Sequence, residues 1–315
     1  NLAHVMKIEN YPLISVVIPT FNHADFLKVA ISSVVAQTYQ NLEIVIVDNH
    51  SNDHTIEVVS SFNDDRIHLH KINNNGVIAA SRNLGVDQTK GEWIAYLDSD
   101  DYWYPTRLQC LLDSIHSDLK YDVISTDEYK INSLTGKKTK LIYGPLKGRK
   151  YRSLLLYGNR LSPSASLVRK EFLLKNEVRF NESSSFVTVE DYDYWLQLAF
   201  LDARFKFIHS FEGEYLVHGG NSSGYLALHK RNELNLLKHH VFNVQNFAFD
   251  KETMWRDMQA IVSLRGAVQQ LKSGNVWISL KVLLVSLYAS PYFACKWAAY
   301  KLRFFFESIF VLLKM

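Results

Sequence analysis

Cysteine is scarce in this 315-residue chain: Cys110 and Cys295 stand 185 positions apart. Two such residues make no disulfide framework and no zinc-ligand pattern, and they fit a reducing compartment. Glycine-rich phosphate loops are missing too. Neither GxGxxG nor GxxxxGKS/T occurs, which speaks against a dinucleotide site and a P-loop ATPase. No run of about 18–20 uncharged apolar residues appears, so no membrane-spanning helix is expected. The first residues reach Lys7 and Glu9 before any sustained apolar stretch, so no secretory signal is expected. With 13 Gly, 6 Pro and 47% hydrophobic residues, the composition excludes a collagen-like chain and wholesale disorder. A net charge of only +3 argues against a dedicated nucleic-acid binder.

The charge that is present is unevenly placed. Residues 1–215 hold 23 Lys+Arg and 27 Asp+Glu, whereas residues 216–315 hold 12 and 5. Residues 272–315 carry six cations and one anion, Glu307, among dense Leu, Val, Phe, Tyr and Trp. A basic, apolar tail on an acidic body predicts two environments, cytosol and a membrane surface. The length suits one large domain plus an appendage.

Hydrophobic patterning orders the first third of the chain. Leu13–Pro19 and Leu42–Val47 are compact apolar runs, expected as buried strands of a parallel sheet. Between them, Phe26, Leu27, Ala30, Ile31, Val34 and Val35 are spaced three and four apart, which predicts a helix over 24–37. Helices over 55–62 and 77–89 and strands over 67–72 and 93–97 continue the alternation, implying right-handed βαβ units. Beyond residue 105 the pattern loosens. A helix is expected over 106–117, strands over 122–131, 161–168 and 214–218, a basic turn over 135–140, and a helix over 189–201. From about Tyr225 the remainder reads as helices.

In parallel sheets, ligands bind outside the carboxyl ends of the strands. Polar clusters fall there after three strands: Thr20-Phe21-Asn22, Asp48-Asn49, and Asp98-Ser99-Asp100-Asp101. Two carboxylates two apart at a strand end share a face and supply hard oxygen ligands suited to Mg²⁺ or Mn²⁺. A solvated acidic turn is the plainer reading of that tripeptide. Asp48 either caps the helix at Thr55, beside the nearer candidates Asn52 and Asp53, or accepts from a nucleobase N–H. Arg82-Asn83 reads as a surface ion pair or as a contact to a base or phosphate. In Glu190-Asp191-Tyr192-Asp193-Tyr194-Trp195, acids at a helix start suit the helix dipole. Three of them among aromatics also suit a general base. His218, before Gly219-Gly220-Asn221-Ser222, carries little weight by itself.

These stretches together resemble the family 2 glycosyltransferases, inverting nucleotide-sugar enzymes. The resemblance runs over SVVIPTFNHADFLKVAISSVVAQTYQNLEIVIVDNHSNDHT at 15–55, NNNGVIAASRNLGVDQTKGEWIAYLDSDDYWYPTRL at 73–108 and VEDYDYWLQLA at 189–199. YLVHGGNSS at 215–223 resembles the end of the catalytic domain in bacterial surface-polysaccharide members. The resemblance implies a GT-A fold, a Rossmann-like α/β sheet, mostly parallel and flanked by helices, here followed by a helical, amphipathic tail. It implies that Pro19, Thr20 and Asn22 line a nucleoside pocket, that Asp48 accepts from uracil, and that Arg82 lies near the nucleotide. Ser99 and Glu190 are placed with them. Asp98 and Asp100 would form a metal motif for Mn²⁺ or Mg²⁺, His218 would face the metal or the diphosphate, and Asp191 would deprotonate the acceptor hydroxyl. Where the family often has Asp-Asp or Asp-Asn-Gly after the second strand, this chain has Asp48-Asn49-His50.

The expected activity is metal-dependent, inverting transfer from a UDP-sugar to an acceptor hydroxyl, on a lipid-linked glycan in O-antigen or capsule assembly. A nucleotidyltransferase would carry a glycine-rich, basic loop after the first strand, which Thr20-Phe21-Asn22-His23 is not. A non-catalytic sugar-nucleotide-binding protein would have lost one of Asp98, Asp100 and Asp191, and all three are present. The expected organisation is a catalytic domain over 1–223, with a nucleotide-sugar half near 13–105 and an acceptor half near 106–223. The helical region over 224–315 would meet an anionic membrane surface or form a homo-oligomer. The expected location is the inner face of the plasma membrane, peripherally.

Overall fold

In a computed structural model, the residues described are 11–117, 120–146, 148–219, 226–272 and 276–289, together with Cys295 and Ala299. Nine strands among them form one sheet: β1 (Ile14–Thr20), β2 (Leu42–Asp48), β3 (Ile67–Lys71), β4 (Trp93–Tyr96), β5 (Tyr102–Trp103), β6 (Val123–Asn132), β7 (Lys138–Leu141), β8 (Ser166–Arg169) and β9 (Phe205–Val217). The order is β3-β2-β1-β4-β8-β6-β9-β5, with β7 on the distal part of β6. Pairing is parallel from β3 through β4 and again between β6 and β9. It is antiparallel where β8 meets β4 and β6, and where β5 and β7 attach.

The parallel part explains its sequence. β1 is buried along its whole length. Ile14, Val16 and Ile18 join the core formed with Leu27, Ala30, Ile31 and Val34 of α1 (Ala24–Val35). Val17 points the other way, toward Gly85 of α3 (Ile78–Gln88). A strand covered on both faces needs apolar residues at successive positions rather than alternation. Gly85 is where α3 touches the sheet, since a Cβ there would lie 2.3 Å from Val17 Cγ1. Asp53 serves two helices at once. Its Oδ2 accepts from Ala24 N at 2.9 Å, and its Oδ1 accepts from Thr55 N at 3.1 Å, opening α2 (Thr55–Ser60). Asp48 is therefore not the cap of α2.

Several elements depart from the sequence expectation. The basic turn at 135–140 is instead the tip and return strand of a hairpin, because β7 is an edge strand whose exposed residues leave no apolar signal. The strand expected over 161–168 is confined to Ser166–Arg169. The short strand at 214–218 is the end of the thirteen-residue β9, whose half-buried residues mix Lys206 and His209 with Phe207 and Phe211. Helices α5 (Lys150–Tyr157) and α6 (Lys170–Lys175) carried no clear period. The remaining helices are α4 (Arg107–Ser117), α7 (Glu190–Phe200), α8 (Leu226–His239), α9 (Lys251–Lys272) and α10 (Val276–Ala289).

The chain divides into two compact units. The first comprises the residues up to Pro145, Leu161–Glu182 and Gln197–Gly219, and holds the sheet. The second comprises Leu146–Arg160, Ser183–Leu196 and the residues beyond Gly219. In it α8 packs on α9 and α9 on α10, while Trp195, Leu236, Leu237, Val241, Met258 and Ile261 are buried. No helix among the described residues is long and apolar enough to cross a membrane. On α10, Val276, Trp277, Leu280, Leu284 and Val285 are exposed. Gly220-Asn221-Ser222-Ser223, the side chain of Tyr288, and Tyr292, Trp297, Tyr300 and Phe304-Phe305-Phe306 lie outside the described residues.

Candidate active site

Parallel register places Thr20 directly beside Asp48 at the carboxyl ends of β1 and β2, with Pro19 beside Val47 one step earlier. Asp48 is fully buried and Thr20 nearly so. One side of the Asp48 carboxylate is committed: Oδ1 accepts from Ser51 N at 3.0 Å and Ser51 Oγ at 2.5 Å. The other side is not. Asp48 Oδ2 and Thr20 Oγ1 are buried polar atoms with no hydrogen-bond partner. Leaving such atoms unpaired costs about 1–3 kcal/mol each, and a ligand that supplied partners would recover it.

The loops around this pair are stitched together. Asn22, at φ 51°, accepts on Oδ1 from Asn52 N at 2.8 Å, and its own N–H donates to Ser51 Oγ at 2.9 Å. Asn49 Oδ1 accepts from Asn74 N at 2.8 Å. The Asn22 side chain thus fastens the first loop to the second. Ser51 joins the two loops: its bonds to Asp48 are local, three residues back, and its link to Asn22 spans 29 positions.

The acidic loop follows β4. Arg82 is buried, contrary to a surface pair, and its Nη2 donates to Asp98 Oδ1 at 2.7 Å while the guanidinium lies 5.3 Å from the Phe180 ring centroid. Asp98 N donates to Ser164 Oγ at 3.1 Å. Ser99 Oγ meets His23 Nδ1 at 3.2 Å. Asp100 Oδ2 meets His218 Nε2 at 3.0 Å, and His218 stacks on Phe26 at 4.7 Å between centroids. Burial, and then the negative charge of Asp98, push the Asp100 carboxyl above its ordinary range, against the opposing His218 hydrogen bond. Beneath it, Asp101 Oδ1 accepts from Leu216 N at 3.1 Å, tying the loop to the end of β9. Burial and the charges of Asp100, Glu128 and Asp98 push Asp101 well above its ordinary value. Fully buried Arg107 lies 4.6 Å from the Trp103 ring centroid, and burial lowers its pKa to about 10.

No cluster of three or more His, Cys, Asp or Glu side chains is arranged as a metal site among the described residues. A divalent cation held by one or two carboxylates plus substrate phosphates needs no such cluster. Burial, and after it the charge of Asp98, disfavour a second negative charge at Asp100, which a cation would relieve. Asp98, Asp100 and His218 therefore fit part of a shell.

In the second unit, the acids of α7 separate by burial. Glu190 and Asp193 are buried, whereas Asp191 is partly exposed. Asp191 Oδ2 accepts from Asn159 Nδ2 at 2.9 Å and Oδ1 from Tyr192 N at 2.7 Å. Asp193 Oδ1 meets His240 Nε2 at 2.9 Å, and His240 Nδ1 meets Tyr151 Oη at 3.0 Å. Asp193 is thereby sequestered. Neither Asn159 nor His240 carried a sequence signal.

The polar groups gather at the carboxyl ends of the parallel strands, where open α/β sheets bind ligands. The sequence profile described as Glycosyl transferase family 2 matches residues 15–175, and the chain belongs to that family. An uncharacterized glycosyltransferase of Rickettsia typhi is 30% identical over 61% of this chain and 60% of its own length. A second, from Rickettsia prowazekii, is 29% identical, with 58% of its length matched; the chain thus spans about three-fifths of these curated relatives. WfaP of Escherichia coli, named a UDP-Glc:alpha-D-GlcNAc-diphosphoundecaprenol beta-1,3-glucosyltransferase, is 28% identical over 72% of this chain and 86% of its own. S. aureus TarS residues 1–349 in complex with UDP-GlcNAc share the fold at TM-score 0.58 and 19% identity, covering 85% of this chain and 90% of that one. Mannosyltransferase PcManGT from Pyrobaculum calidifontis, in complex with GDP-Man and Mn²⁺, does so at TM-score 0.56 and 17% identity, covering 94% and 81%.

Proposed function

We propose that the protein is an inverting glycosyltransferase that moves a sugar from a UDP-sugar to an acceptor hydroxyl. The observation that carries this reading is the pair of buried, unpartnered atoms Thr20 Oγ1 and Asp48 Oδ2 at facing strand ends. A uracil N3–H supplies the donor that Asp48 Oδ2 lacks. Guanine also carries ring N–H donors, but the names of the UDP-linked relatives favour uridine. Arg82 holds Asp98 in place, and His218 holds Asp100. Asp98, Asp100 and His218 would hold Mn²⁺ or Mg²⁺, which offsets the charge growing on the departing diphosphate. Asp191 takes the proton from the acceptor hydroxyl, with Asn159 fixing its orientation. A single acceptor-side base suffices for inversion, because the nucleophile attacks from the face opposite the diphosphate.

The catalytic domain in this reading is residues 1–223. The helical region 224–315 associates peripherally with the inner face of the plasma membrane or forms a homo-oligomer. The exposed apolar residues of α10 support the former. The acceptor is a lipid-linked glycan of surface polysaccharide, in keeping with the diphosphoundecaprenol acceptor in the name of WfaP. The test is UDP release across a panel of UDP-sugars, with Mn²⁺, with Mg²⁺ and in excess EDTA. Release with one sugar that stops in EDTA is expected. Full release in EDTA removes the metal role, and failure to bind UDP removes the donor assignment.

A further inference from the structure

The exposed charge of the β6–β7 hairpin is of one sign. Every charged residue between 129 and 141 is a lysine: Lys130, Lys137, Lys138 and Lys140, all exposed. At the tip stands Leu134, 90% exposed. The tip is also rigid. Asn132 Oδ1 accepts from Leu134 N at 3.1 Å and from Thr135 N and Thr135 Oγ1 at 2.9 Å each. Gly136 N donates to Asn132 O at 2.8 Å, with Gly136 at φ 65°, a conformation that favours glycine. An apolar side chain is thus held outward by a built turn instead of folding back on the sheet.

The hairpin has a definite neighbour. Ser133 N donates to Val217 O at 2.9 Å, one residue before His218, which meets Asp100. The lysine-bearing tip therefore sits beside the acidic loop. Lys138 is partly committed, donating to Tyr104 Oη at 2.8 Å and Glu214 Oε1 at 3.0 Å, and Lys140 lies 5.0 Å from the Phe211 ring centroid.

We propose that this hairpin tip docks on an anionic membrane surface, Leu134 entering the headgroup boundary while Lys130 and Lys137, on the face opposite Lys138 and Lys140, meet anionic headgroups. The pairing of chemistries selects the partner. A bilayer boundary offers hydrocarbon and negative charge within one side chain's depth of each other. A nucleic acid would meet the lysines through its phosphates but offers no hydrocarbon boundary to Leu134. The surface lies outside the helical region, and its docking does not depend on the nucleotide assignment. Its consequence, that a lipid-held acceptor is presented next to the acidic loop, does rest on that reading.

The experiment is co-sedimentation of the full chain with phosphatidylcholine vesicles and with vesicles of phosphatidylcholine and phosphatidylglycerol in equal parts, at low and high salt. The variants are L134S, K130Q/K137Q and the control K28Q/K175Q, which removes the same charge from exposed sites elsewhere. Wild type should partition to the anionic vesicles at low salt. With about five-fold per lysine near the surface, K130Q/K137Q should partition about 25-fold less. L134S should lose about ten-fold, the order expected for burying one leucine, and the control should match wild type. UDP affinity in the same samples should be unchanged throughout, which separates this proposal from the donor assignment. Equal partitioning of K130Q/K137Q and K28Q/K175Q, or no loss in either hairpin variant, overturns it.

Discussion

Asp48→Asn is the most informative single change, because the structure dictates how the new amide must point. Ser51 N and Ser51 Oγ both donate to Oδ1, so the amide oxygen of asparagine takes that position. The NH₂ group then replaces Oδ2, the atom left unpartnered beside Thr20. A uracil N3–H arriving there meets a donor instead of an acceptor. The loss is one hydrogen bond to a charged group, about 1.5–3 kcal/mol, or roughly 10- to 150-fold in affinity. A cytosine presents an acceptor at N3, so CDP should gain relative to UDP. Isothermal titration of UDP and CDP against both proteins reads both effects. If Asp48→Asn binds UDP within about two-fold of wild type and shows no shift toward CDP, Asp48 does not contact the base, and the nucleoside assignment fails with it.

Three other outcomes are expected. Asp191→Asn should lower kcat by about 10²–10⁴-fold with UDP affinity unchanged, with Asn159→Ala milder; a near-wild-type Asp191→Asn transfers the role elsewhere. Gly85→Ala should destabilise by about 1–3 kcal/mol through the Val17 clash, and Val17→Ala in the same chain should restore part of the lost Tm; an unchanged Tm means that α3 has room to move. Asp122 is raised by burial, but the Arg204 hydrogen bonds outweigh that and hold its carboxyl below the usual range. Its contribution is therefore present above the unfolded carboxylate pKa and lost as pH falls through the lower folded value. The Tm advantage of wild type over Asp122→Asn should accordingly shrink in acid, and an advantage that persists below the folded value refutes the pairing argument.

Where the chain is buried on both faces, its sequence announces the fold. β1 and β2 are continuous apolar runs because α1 and α3 cover opposite sides of the sheet, and the polar residues that end them fall at its carboxyl edge. β9 is half-buried and mixes charged with aromatic residues, so only its last few residues read as strand. The same logic divides the site. Asp48, Asp98 and Asp100 stand out because acids after buried strands are conspicuous. Arg82, taken alone, suggests surface, because nothing local reveals that Asp98 sits 2.7 Å from its guanidinium. Asn159 and His240 act on partners that only tertiary structure brings near, and no periodicity encodes them.

The stitching of the first two loops has a kinetic side. Ordering a loop when a ligand arrives costs roughly 1–2 kcal/mol per residue fixed and makes capture wait for closure. Here Asn22, Ser51, Asn52 and Asp53 have fastened those loops during folding. A ligand entering beside Thr20 and Asp48 meets a finished seat, so capture is limited by encounter and orientation. Differences in affinity among ligands or variants at this seat should then be written in how long each one stays.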